Sequence, residues 1–286
     1  MPNLQTNRLK ISFQQRGSGP DLIMIHGLAA NQAFWHFKIM PHFVEDFHVT
    51  VYDLRGHGLS EMLPEGYVTK DLAEDLLSMM DQLEIEKAHL VGHSYGGAVS
   101  LHFAAMCPNR VQSLSLIDCR VQSLQPMHGF DDINWWHDRK MQIEAKGVTI
   151  PEGTPKVVYA MLEELIPMIE SGDANTNALP GLILNNGSWD GKSRSAKRWM
   201  KLVQETTFTN DFNKVAELTS DLIESITARV LLLYGGESQC LDTCIELQKL
   251  LPEAKVVIAP NLGHFFPMVR PDVVVDHVRN FILGNK

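Results

Sequence analysis

Ser94 stands in Gly92-His93-Ser94-Tyr95-Gly96, directly after the apolar run Ala88-His89-Leu90-Val91. The pattern is G-x-S-x-G, in which a strand ends, the chain turns sharply and a helix begins. Glycines on both sides tolerate the strained backbone and the close approach of strand to helix. Such a turn lifts the serine hydroxyl clear of the sheet. It also sets that hydroxyl over a helix N-terminus, whose unpaired N–H groups favour a nearby oxyanion. A serine hydroxyl is a poor nucleophile by itself, so acyl chemistry here needs a base from elsewhere in the chain.

The elements around this turn follow from periodicity. Leu9 to Gln15 alternates apolar and polar side chains, as a half-buried antiparallel strand does. Gly17-Ser18-Gly19-Pro20 is a turn. The continuous apolar runs Leu22–Ile25 and His48–Tyr52, and the run into Ser94, suit central strands covered on both faces. A further strand is predicted over 112–118. Helices are predicted over 33–43, 70–83 and 95–107. From Arg120 to about Ser225 the strand rhythm breaks into helix-like pieces, punctuated by Pro151, Gly153, Pro155, Pro180 and Gly181. Strand and helix alternate again at 230–234, 243–251, 255–258 and 271–283. The expectation is an α/β fold with a doubly wound, mostly parallel sheet. Its core would be residues 1–119 and 226–286. A helical cap, 120–225, would be inserted after the strand ending at Asp118, over the carboxyl ends of the strands where such sheets place their sites.

Composition narrows the class further. The 286 residues are 44% hydrophobic and 21% charged, with a net charge of −9, which argues against a nucleic-acid-binding face. No run of eighteen apolar residues is present, so no membrane partner is expected. The opening residues Met1–Arg8 carry no apolar stretch of signal-peptide type. Cys107, Cys119, Cys240 and Cys244 have no paired C-x-x-C spacing, and only Cys240 and Cys244 sit one helical turn apart. Unpaired thiols in a reducing cytoplasm are expected.

Four motifs in order resemble those of the α/β-hydrolase superfamily, in its capped serine esterase and lipase-like branch. His26-Gly27-Leu28 resembles the oxyanion loop, and Asp53-Leu54-Arg55-Gly56-His57-Gly58-Leu59-Ser60 the D-x-R-G-x-G-x-S turn. Gly92–Gly97 resembles the nucleophile elbow, and Asn261-Leu262-Gly263-His264-Phe265 the loop bearing the catalytic histidine. The resemblance covers the core; the insert carries no such motif.

The resemblance implies Ser94 as nucleophile and His264 as general base and then acid, since imidazole titrates near neutrality. The backbone N–H groups of Leu28 and Tyr95 would form the oxyanion hole. The orienting acid departs from the common pattern. After the 230–234 strand, Ser238 or Gln239 stands where an aspartate is expected, and neither carries a charge. Asp118, one strand earlier, is the first choice; Glu237 and then Asp242 are the alternatives. Asp53, Arg55 and His57 are read as structural, as is His26, and His93 as a packing or polar-support residue. Trp135 and Trp136 would line a substrate pocket or fill the core of the cap, with neither reading favoured.

The implied reaction is hydrolysis of a small-molecule carboxylic ester, bulky or cyclic (a lactone or macrolide), with no metal or organic cofactor. The same serine and histidine would also serve a carbon–carbon bond hydrolase or a cofactor-free perhydrolase. A ligand-binding receptor on the hydrolase scaffold is the reading from another class.

Overall fold

Strands buried on both faces must put apolar side chains on each side of the sheet, and the central strands do so. The computed structural model describes residues 2–126, 141, 145, 194–212 and 214–284. Eight strands form one sheet in the order β1-β2-β4-β3-β5-β6-β7-β8. In chain order they are β1 (Asn3–Gln5), β2 (Lys10–Arg16), β3 (Asp21–Ile25), β4 (His48–Tyr52), β5 (Ala88–His93), β6 (Val111–Ile117), β7 (Arg229–Gly235) and β8 (Lys255–Ala259). The pairs β1/β2 and β2/β4 are antiparallel and all others are parallel.

Two apolar layers flank the sheet. On one face Ile23, Ile25, Leu90 and Leu232 pack with α2 (Thr69–Gln82), α3 (Tyr95–Met106) and α7 (Leu241–Leu250). On the other, Leu22, Met24, Val91, Leu231 and Leu233 pack with α1 (Ala33–His36) and α9 (Pro271–Leu283). Helix α2 buries Leu72, Leu76, Met79 and Met80 at helical spacing, while α3 is buried all round from Tyr95 to Ala104. Gly284, at φ 72°, ends α9 in the left-handed conformation. Between β6 and β7 the described residues hold α4 (Arg194–Glu205), α5 (Phe208–Asp211) and α6 (Ser220–Glu224), and α8 (Phe266–Val269) precedes α9.

The helix expected over 33–43 is corrected. It is four residues of α1 followed by a 3-10 turn, Met40–His42. Pro41 has no N–H to donate to a carbonyl one turn back, so the helix cannot run through it. The short edge strand β1 and helix α8 carry no periodic signal long enough to read from the sequence.

The glycine-rich turn after β4 is a foundation for α4 and α5. Asp53 accepts from the Gln32 N–H (2.8 Å), the Gln32 side chain (3.1 Å) and the Leu59 N–H (2.8 Å). Arg55 forms a two-pronged pair with Asp75 at 2.6 and 2.8 Å and donates to the Glu65 carbonyl at 3.0 Å. His57 packs against Trp199 and Phe208, and Arg198 donates to the Ser60 carbonyl.

Removing one partner of a buried pair strands the other charge. Arg55 is 5% exposed and Asp75 3%. Asp75→Ala should therefore lower unfolding free energy by about 3–5 kcal/mol in urea titrations. A loss below about 1 kcal/mol would show that the pair behaves as a surface one.

Candidate active site

Three adjacent strand ends assemble the site. β5 stops at His93 and Ser94 follows with φ 53° and ψ −123°, a backbone held in a strained turn. A Cβ on Gly96 would overlap the carbonyl oxygens of Ile25 and His26, and one on Gly92 the carbonyl of Gly96. Only glycine permits that approach. The Ser94 N–H donates to the Ile117 carbonyl (3.0 Å), and the Asp118 N–H donates to the Leu233 carbonyl (2.9 Å). Each of the two residues is thus pinned to the end of the next strand. Asp118 also has a positive φ, 46°.

His264 arrives on the loop after β8. The Glu237 N–H donates to the Leu262 carbonyl (3.0 Å), and His93 Nε2 donates to the carbonyl of His264 itself (3.0 Å). The His264 ring lies 4.9 Å from each of the His93 and Phe265 rings, which are 6.1 Å from one another. Its Nε2 lies 3.0 Å from Ser94 Oγ and its Nδ1 3.0 Å from Asp118 Oδ1. A carboxylate only accepts, so Nδ1 carries the proton and Nε2 is left to accept from the serine hydroxyl.

Asp118 is 0% exposed, and a buried carboxylate must be satisfied. Oδ2 accepts from the Gly235 N–H at 2.7 Å. Oδ1 accepts from the Ser238 hydroxyl as well as from His264. Ser238 Oγ in turn accepts from the Cys240 N–H at 3.0 Å. Glu237 is exposed, and Asp242 lies exposed in the first turn of α7. The carboxylate beside His264 is that of Asp118. Ser238 stands where the common pattern has an aspartate, and its hydroxyl donates to the Asp118 carboxylate instead.

Tyr95 is the first residue of α3, so its N–H has no helical carbonyl to pair with. Its hydroxyl is tied to the Tyr67 carbonyl at 2.6 Å. Burial raises its pKa, so it is no acid here. Leu28 sits in the turn after β3, and the side chain of Ser94 lies beside Gly27 in the same loop. Trp135 and Trp136 lie outside the described residues. Among the described residues Cys107, Cys119, Cys240 and Cys244 form no disulfide. Among the described residues no helix is long and apolar enough to cross a membrane.

The nearby histidines hold their protons by structure. His26 bridges two strands' loops, with Nδ1 donating to the Gly27 carbonyl (2.7 Å) and Nε2 accepting from the Leu54 N–H (3.1 Å). Burial pushes His26 down to about 4, and His57 and His93 down to about 3. His93 stacks on Phe34 at 4.8 Å.

The chain belongs to the family described as alpha/beta hydrolase fold, which it matches over residues 20–271. It is similar to 2-(acetamidomethylene)succinate hydrolase of Mesorhizobium japonicum, with 26% identity over 96% of this chain and 92% of that protein. Among solved structures it resembles the enol-lactonase of Burkholderia xenovorans LB400, with a TM-score of 0.71 and 20% identity over 99% of this chain and 100% of that one. It also resembles an N-acyl homoserine lactone degrading enzyme, with a TM-score of 0.69 and 21% identity over 98% and 100% of the two chains.

Histidines buried as neutral rings make the fold acid-sensitive. The unfolded chain takes up protons near pH 6.5 at His26, His57 and His93, while the folded chain refuses them until about pH 4 or 3. Between those limits the unfolded state binds more protons, so stability falls as pH falls. The urea midpoint should drop steadily below pH 6.5. His57→Asn should flatten that acid limb by up to about 1.4 kcal/mol per pH unit. An unchanged slope would mean that His57 is charged in the folded protein.

Proposed function

We propose that this protein is a serine hydrolase of carboxylic esters, cyclic esters included, working through an acyl-enzyme. The relay of hydrogen bonds from Ser94 through His264 to Asp118 carries the reading. In the proposed cycle His264 Nε2 takes the Ser94 proton as Oγ attacks the carbonyl carbon. The oxyanion develops against the N–H groups of Leu28 and Tyr95, placed by the oxyanion loop and the start of α3. Asp118 holds the ring in the tautomer that leaves Nε2 basic and stabilises the imidazolium that forms. His264 then returns the proton to the leaving alcohol. Water, activated by the same ring, releases the acid.

Serine as the nucleophile speaks for ester rather than epoxide chemistry, because epoxide hydrolases of this fold use an aspartate at that position. The family membership supports hydrolysis, and the likeness to an enol-lactonase and a lactone-degrading enzyme supports including cyclic esters. The insert 120–225, read as a cap over the strand ends, would set which acyl and alcohol groups enter.

Purified protein should hydrolyse p-nitrophenyl butyrate and react covalently with a fluorophosphonate probe, both abolished in Ser94→Ala. Asp118→Asn should lower kcat by about 10⁴, as the equivalent change does in a serine protease, whereas Glu237→Gln should leave kcat near wild type. If Asp118→Asn keeps full activity, Asp118 is not the acid. If Ser94 resists the probe and no ester or lactone in a panel turns over while a ligand binds tightly, the scaffold is a receptor.

A further inference from the structure

Cys240 is a buried thiol that the proposed cycle does not use. Its Sγ lies 3.6 Å from His264 Nδ1. The same nitrogen lies 3.0 Å from Asp118 Oδ1, and these sulfur, nitrogen and oxygen donors all fall within 4.8 Å of one another. Tetrahedral zinc, with Zn–S of about 2.3 Å and Zn–N of about 2.0–2.1 Å, sets sulfur and nitrogen about 3.5 Å apart and nitrogen and oxygen about 3.3 Å apart. The Cys240–His264 separation already matches, and the His264–Asp118 separation is short by a few tenths of an ångström. The sulfur–oxygen separation, within 4.8 Å, has to close toward the roughly 3.6 Å that tetrahedral zinc sets, so the Cys240 side chain must swing in on binding. Donor types agree too, since thiolate, imidazole and carboxylate are the ligands zinc takes. Glu237 and Gln239, on either side of buried Ser238 and just before Cys240, are exposed, so the chain reaches solvent within a few residues of the cluster.

We propose that Cys240, His264 and Asp118 form an inhibitory zinc site that shuts the hydrolase off by capturing Nδ1 of its base. Binding makes three bonds to the metal and completes the shell with water. The thiol proton leaves to solvent. The imidazole proton moves from Nδ1 to Nε2, because a ring nitrogen that ligates metal has no proton to keep. Nε2–H can then no longer accept from Ser94. The inhibition rests on the hydrolase reading, whereas metal binding at these three residues does not.

Cobalt(II) titration of the full chain tests the site without turnover. Thiolate ligation should produce a sulfur-to-cobalt charge-transfer band in the near ultraviolet, saturating at one metal per chain and displaced by zinc. Cys240→Ala and the closer mimic Cys240→Ser, each shown folded by circular dichroism, should lose the band, and Cys244→Ser should keep it. In buffered free zinc, ester hydrolysis by the wild type should fall and recover on chelation. Cys240→Ala should need about ten-fold or more zinc for the same loss.

No charge-transfer band in the wild type, or one that survives both Cys240 variants, overturns the site. A Cys240-dependent band with equal zinc sensitivity in wild type and variant overturns the inhibition. A Cys240-dependent band in a protein that cleaves no ester leaves the metal site standing and removes the hydrolase reading instead.

Discussion

A fully buried carboxylate at the end of β6 is the constraint on which the site's geometry depends. Charge taken out of water must be met by hydrogen bonds, and Asp118 meets that demand across two chain segments. The Gly235 N–H reaches it from the end of β7, the Ser238 hydroxyl from the following loop and His264 from beyond β8. Each bond fixes the carboxylate and, equally, the segment that donates it. Asp118 holds a positive φ, 46°, an uncommon conformation for a residue other than glycine. A strained residue persists only where its surroundings over-determine it, and here they do.

Stagger along the sheet completes the assembly. Ser94 is tied by its N–H to the last residue of β6, and Asp118 by its N–H to β7. Gly235 in turn packs its bare Cα against the Leu262 carbonyl, and any side chain there would push the histidine loop away. Residues 94, 118 and 264 are remote in the chain. They meet because neighbouring parallel strands end one after another, each handing a hydrogen bond to the next. That geometry belongs to the sheet order β5-β6-β7-β8 more than to any single motif.

This explains which parts could be read beforehand. Ser94 announces itself because tight backbone approach restricts Gly92 and Gly96 to glycine, and the histidine loop is recognised by its spelling after the last strand. The central strands announce themselves through apolar runs. Asp118 leaves no spelling of its own; only the missing aspartate after β7, and its own place at the end of the strand following the elbow helix, point to it. The support from Ser238 was invisible for the opposite reason, since one hydroxyl among many gains its role only from a long-range contact. The helix expected over 33–43 stops at His36, and Pro41 further on prevents it from resuming as an α-helix. The turn 53–60 was legible as structural, but the packing of Trp199 and Phe208 on His57 depends on pairing residues about 140–150 positions apart, which periodicity cannot supply.

The crowding of histidines around the site has its own electrostatic logic. His93 lies 4.9 Å from the His264 ring. Two positive rings at that separation would repel by about 3 kcal/mol at an effective dielectric of 20, enough to suppress proton uptake by His264. Burial keeps His93 neutral, and its one ring proton is spent on the His264 carbonyl. The residue therefore anchors the loop backbone without opposing the imidazolium of the proposed relay. A lysine or arginine in that place could make the same hydrogen bond, but it would carry a permanent charge. An uncharged donor that stacks on Phe34 satisfies both the packing and the electrostatics, and buried histidine is one of the few side chains that can.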